Sequence, residues 1–260
     1  MAAGLALLGS VLVGSAASTV GFVQAARSAD QAELALQRSE AVNAFLEDML
    51  RAADPVSGDG PETTVRVLLD AASEEVDGGA FSEDPLVAAE VRRSIGASYM
   101  HLGLFEPASR HFTLAQAALD TTPGARARDR ITVRQELGQL SRRTGDLAGA
   151  ESYLRDALTL ADSAGLASDG GEGELLTNGL RNDLGLALRD MDRLDEASLI
   201  LEQLAASERR LLPPDDLDLA TTLNNLALVK RAPGDQDGAI SLFEETLEAL
   251  RAALGPSHLY

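Results

Sequence analysis

The sequence has no cysteine, no tryptophan and a single lysine, Lys230. Without cysteine, disulfides, thiolate-ligated zinc, iron–sulfur clusters and thiol catalysis are excluded. Histidine occurs three times, at His101, His111 and His258, and none forms a zinc-binding HExxH pair, so no metal site is expected. Positive charge is also scarce: 22 Lys and Arg face 41 Asp and Glu, for a net charge of −19. A chain of that charge is repelled by a phosphate backbone, so nucleic acid is not an expected partner. What is present is apolar: 45% of 260 residues are hydrophobic, enough to build a sizeable core.

Catalysis finds no support either. The carboxylate pairs Glu74–Glu75, Asp215–Asp216 and Glu244–Glu245 read as solvated helix faces and turns, not acid–base pairs. No nucleophile constellation and no nucleotide loop is present, so neither an enzyme nor a cofactor is expected.

The first 23 residues, MAAGLALLGSVLVGSAASTVGFV, carry no charged side chain, and the first cation is Arg27. A helix of that length rises roughly 34 Å, enough to cross a hydrocarbon layer about 30 Å thick. Residues 1–26 are therefore expected to form a single-pass membrane helix, in which Ala6, Ser10, Gly14 and Ser18 repeat at the small-xxx-small spacing. A cleaved signal peptide ending at Ser15–Ala17 or Val23–Ala25 is the alternative. Arg27 and Arg38 follow the span, which by the positive-inside rule alone leaves the rest in the cytoplasm.

Residues 27–80 read as juxtamembrane helices. One runs without Gly or Pro toward Asp54–Pro55, with Val42, Phe45, Leu46 and Met49 on one stripe. A second, TVRVLLDAASEEV, is expected to be capped by Thr63 or Thr64 and ended by the DGG at 77–79.

From residue 81 to 260 the chain repeats itself. Asp84–Pro85 announces a helix start. Ile95–Gly96, Tyr99, Gly103, Ala108, Phe112 and Ala115 then return at the same offsets as Leu137–Gly138, Ser141, Gly145, Ala150, Leu154 and Ala157. They return again from Leu184–Gly185 and from Leu226–Ala227. Each unit predicts a helical hairpin. Its small residue and its alanine let the two helices approach, and Phe112, Leu154, Leu201 and Phe243 pack against the next unit. Gly103, Gly145 and Gly234 end the first helix. A single hairpin cannot cover its own apolar face, so about four must stack.

These offsets resemble the tetratricopeptide repeat (TPR). The 42-residue spacing, with TLNNLAL opening a first helix and LGPSH following the second, is similar to the kinesin-light-chain-like subtype. The resemblance implies an all-α, right-handed solenoid of stacked helix hairpins that binds protein partners. Asp192 stands where glycine is usual, Leu204 and Thr246 where alanine is usual, and the connection SAGLASDGGEGE (163–174) is long. A helical stretch after a span and before such repeats is also similar to the C-terminal half of bacterial membrane-bound serine/threonine kinases. That similarity implies a sensor or scaffold part outside the cytoplasm, without the kinase.

The resemblance further places one face of each first helix on the inner curve of the solenoid. On it fall Gln135, Gln139 and Arg142, then Asn182, Leu186 and Arg189, then Asn224, Leu228 and Arg231, with Asn225 beside them. Amides can hold an extended peptide backbone, and arginine binds carboxylates at two points. The expected function is thus a membrane-anchored interaction module that holds a peptide, an acidic segment first. The competing reading is that these arginines neutralise Asp183, Asp190 and other local acids. A second function class, a self-associating homo-oligomeric scaffold, stays open.

Overall fold

The computed structural model describes residues 65–166, 171–231 and 234–254. The expected span at 1–26, its small-residue stripe and the helix toward Asp54 lie outside these residues, as do the proposed caps Thr63 and Thr64. Among the described residues, no helix is long and apolar enough to cross a membrane. The chain divides into two compact units, Met1–Ala72 and Ser73–Tyr260.

All the regular structure described is helical. After α1 (Val65–Asp77) come four hairpins: α2 (Pro85–His101) with α3 (Phe105–Thr121), and α4 (Ala127–Thr144) with α5 (Leu147–Ser163). Then follow α6 (Glu172–Asp190) with α7 (Leu194–Leu211), and α8 (Leu217–Arg231) with α9 (Gln236–Leu254). Because α6 already begins at Glu172, the connection before it is shorter than the sequence suggests.

Local chemistry sets the ends. The Asp84 carboxylate accepts from the backbone N–H groups of Leu86 and Val87 at 3.0 and 3.2 Å, satisfying donors that the first helical turn leaves free. Asp146 and Asp235 cap α5 and α9 in the same way through Gly149 and Gly238. Each first helix ends in a left-handed residue: Gly103, Gly145 and Gly234 have φ of 74°, 87° and 99°, and Asp192 has φ of 62°. The turn geometry is therefore kept in the third hairpin although its residue is not glycine.

The small residues bring the two helices of each hairpin close, as the sequence predicts. A Cβ on Gly96 would lie 2.9 Å from the Phe112 ring, one on Gly138 2.7 Å from Leu154, and one on Gly185 2.8 Å from Leu201. The large residue of each second helix therefore sits on the glycine of its own hairpin, and the glycine makes room for it. In the fourth hairpin Ala227 replaces glycine and Phe243 is only half-buried, whereas Phe112 is fully buried. Between hairpins the core is continuous: Ile131, Leu154, Leu184, Leu188, Leu201, Leu226 and Val229 belong to one buried cluster.

Consecutive first helices touch one another (α2 with α4, α4 with α6, α6 with α8), and consecutive second helices do not. The first helices therefore lie on the inner side of residues 73–254, where the array is tightest.

Candidate functional site

A ladder of lateral hydrogen bonds joins neighbouring first helices on the inner face. Arg93 of α2 donates to Glu136 Oε1 of α4 at 2.7 Å. Gln135 of α4 donates to Asp183 Oδ2 of α6 at 2.8 Å. Between α6 and α8, Asn225 Nδ2 donates to Asn182 Oδ1 at 3.0 Å. The partners are 43, 48 and 43 residues apart, one more than the repeat spacing at each junction. Every rung thus joins the residue two before the leucine-type position to the residue one before it in the next unit. This recurrence is what packing identical hairpins at a constant offset produces.

Asp183 takes two bonds from α4. It is buried, and Gln139 Nε2 donates to the same Oδ2 at 2.8 Å. Burial holds its carboxyl pKa above the ordinary value, although the two amide bonds and the charge of Arg142 work against that rise.

Two of the three arginines share one acid. Arg142 Nη1 donates to Asp190 Oδ2 at 3.0 Å, and Arg189 donates to Asp190 Oδ1 from Nε at 3.1 Å and from Nη2 at 2.8 Å. Burial works against ionisation of Asp190, but these bonds and the two positive charges hold its carboxyl below the usual range. Arg231, at the exposed end of α8, pairs with nothing among the described residues. Asn224 lies half-buried on α8, beside the rung made by Asn225. The structure therefore brings Gln135, Asn182 and Asn225 into the ladder and Arg142 and Arg189 onto Asp190, and it leaves Asn224 and Arg231 outside both.

Where α6, α7 and α8 meet, the face opens into a cleft of about 260 Å³. Asn178, Gly179 and Asn182 of α6 line one wall, Asp218, Thr221 and Thr222 of α8 the other, with Leu175, Leu212 and Glu208 between them. Glu208 is 6% exposed and its Oε2 has no hydrogen-bond partner. Burial raises its carboxyl pKa, the Thr222 hydroxyl bond lowers it, and the negative charges of Asp218 and Asp216 raise it further. Sequence reasoning passed over Glu208. Its signal was a carboxylate continuing the apolar stripe Leu201, Leu204, Ala205 one turn on. Among the described residues no group of three His, Asp or Glu side chains could hold a metal ion.

Tetratricopeptide repeat profiles match residues 131–163 and 176–252, covering α5, α7, α8 and most of α4, α6 and α9. No curated protein sequence matches the chain. Solved structures share its fold at low identity. The crystal structure of BtubC (BKLC) from P. vanneervenii is 17% identical with a TM-score of 0.63, over 74% of this chain and 75% of that one. A putative kinesin light chain from Podosopora anserina with nearly identical TPR-like repeats is 16% identical, TM-score 0.59, over 84% and 95%. A Rap protein complexed with Competence and Sporulation Factor is 14% identical, TM-score 0.56, over 86% and 67%. Profile and fold likeness agree: residues 131–163 and 176–252 match tetratricopeptide repeats, and the described residues form an all-helical, TPR-like array of stacked hairpins.

Proposed function

We propose that the array is a protein–protein interaction scaffold that holds an extended peptide segment of a partner against its inner, first-helix face. The observation that carries this reading is the continuity of that face: first helices touch across every junction and present amides and arginines side by side. Gln135, Asn182, Asn224 and Asn225 would meet the peptide backbone, and Arg142, Arg189 and Arg231 a carboxylate. A Rap protein whose fold resembles this one is seen in complex with Competence and Sporulation Factor, which supports the reading. An incoming carboxylate would compete with Asp190 for Arg142 and Arg189. Because that pair is half-exposed, the exchange costs little.

The test is capture of peptides with an acidic C-terminal segment by wild type and by Arg189→Glu. The variant is expected to keep its helical signal and melting temperature while losing capture by about tenfold or more. Equal capture by the folded variant would remove the arginines from the site. Residues 1–26 would tether this scaffold to a membrane, in the manner of the sensor part of a kinase-like signalling protein. Flotation of the full chain with lipid vesicles, lost on deleting residues 1–26, checks the tether.

A further inference from the structure

The cleft between α6, α7 and α8 has a chemistry opposite to that of the arginines. No lysine or arginine lines it, whereas Glu208 and Asp218 do. The cations beside it are already engaged: Arg181 donates to Asn178 Oδ1 at 2.9 Å, and Arg210 pairs with Glu174. Glu208 is more than nine-tenths buried, with Oε2 unpartnered. A buried carboxyl oxygen without a partner is costly, and a donor brought into the cleft beside Glu208 would relieve that cost. Leu175 and Leu212 add an apolar wall beside the acids. An acidic end beside an apolar wall matches a long cationic side chain, whose methylene stem packs on carbon while its head seeks a counter-charge. Asn178 already uses both ends of its amide, on Ser207 and Arg181, which leaves the carboxylates to recognise the head.

We propose that this cleft is a subsite for a lysine or arginine side chain of the bound partner peptide, with Glu208 and Asp218 as its counter-charges and Leu175 and Leu212 along its stem. The proposal rests on the peptide-binding reading and deepens it. Leu175 precedes Arg189 by 14 residues on α6, about 21 Å along a helix. The inner face is therefore acidic toward the start of α6 and basic toward its end, which selects a peptide carrying a cation and a carboxylate some distance apart. The net charge of −19 favours approach of the cationic part.

The experiment uses the full chain against an array of acetylated twelve-residue peptides of one scaffold sequence, whose central residue is lysine, arginine, norleucine or glutamate. Glu208→Gln is nearly isosteric, and Asp218→Asn is an isosteric change at an exposed residue in the first turn of α8. Wild type is expected to prefer the lysine and arginine peptides to norleucine by about tenfold, and each variant to erase most of that preference while binding norleucine unchanged. Binding without preference for the central cation, or a preference intact in both variants, overturns the subsite and leaves the peptide-binding face standing. Failure of every peptide to bind overturns both. Should Glu208→Gln melt well below wild type, Asp218→Asn alone decides.

Discussion

Asp192 does at the end of α6 what glycine does at the ends of α2, α4 and α8. Its φ of 62° lies in the left-handed region, where a side chain is crowded against its own backbone at a cost of roughly 1–2 kcal/mol, eased in Asp and Asn. The turn holds because the Asp192 and Arg193 N–H groups still reach the carbonyls of Arg189 and Leu188 at 2.9 Å each. Replacing Asp192 by glycine should remove the crowding. The added freedom of the unfolded chain offsets part of the gain, so Asp192→Gly is expected to stabilise the array by up to about 1 kcal/mol. Urea unfolding of the two proteins checks this, and a less stable variant would mean that the aspartate carboxylate supports the turn.

At the scale of elements, the end of α1 from Ser73 to Asp77 is tied to the first hairpin by polar groups. Ser73 Oγ lies 2.8 Å from His111 Nε2, and the His111 ring stacks on Tyr99 at 5.8 Å. Beside them Asp77 pairs with both Arg92, at 2.7 Å, and Arg110. His111 is fully buried and its Nδ1 has no partner. Burial, aided by Arg92 and Arg110 and opposed by Asp77, pushes its pKa down to about 4 from an ordinary 6.5. The folded state therefore holds a neutral ring where the unfolded chain would take up a proton. The stability that the neutral ring contributes is complete above pH 6.5 and is lost as pH falls from 6.5 toward 4. The loss is at most about 3 kcal/mol. His111→Gln keeps a group able to bond Ser73 but cannot titrate, so subtracting its pH profile from that of wild type cancels the other ionisations. The difference is expected to narrow between pH 7 and pH 4. Parallel profiles would mean that the ring takes up its proton as readily in the folded protein as in the unfolded chain.

Elements of this kind were legible in the sequence to the extent that their causes are local. Asp84 before Pro85, and Gly145 before Asp146, mark a helix start and a helix end with the residues that make them. The inner-face ladder was legible only in part. The sequence placed Gln135, Asn182 and Asn224 on one face with Asn225 beside them, but the rung partners lie 43 to 48 residues apart. That separation exceeds the repeat spacing by one because neighbouring hairpins are offset, a property of packing between units that no single unit encodes. For the same reason the pairing of Arg142 and Arg189 through Asp190 emerges only when α4 lies against α6. Glu208 was hidden for a different reason: its burial depends on α6 and α8 closing over the end of α7.

For the molecule as a whole, stability should depend on where along the array a contact is lost, because each hairpin is supported only by its neighbours. Leu201 is fully buried, sits on Gly185 within the third hairpin, and belongs to the cluster that runs from Ile131 of α4 to Val229 of α8. Removing its side chain opens a cavity with hairpins on both sides. Leu201→Ala is expected to cost about 2–5 kcal/mol and to raise hydrogen exchange in α5 and α8 as well as in α6 and α7. Phe243 is the equivalent residue of the last hairpin, yet it is only half-buried. Although a fully buried phenylalanine costs more to truncate than a leucine, Phe243→Ala should cost less than about 3 kcal/mol, with faster exchange confined to α8 and α9. Hydrogen exchange resolved by helix, measured on both variants under one condition, separates position from side-chain size. If Phe243→Ala loosens α4 and α5, or destabilises the protein more than Leu201→Ala, then the hairpins do not couple as nearest neighbours and the array unfolds as one unit.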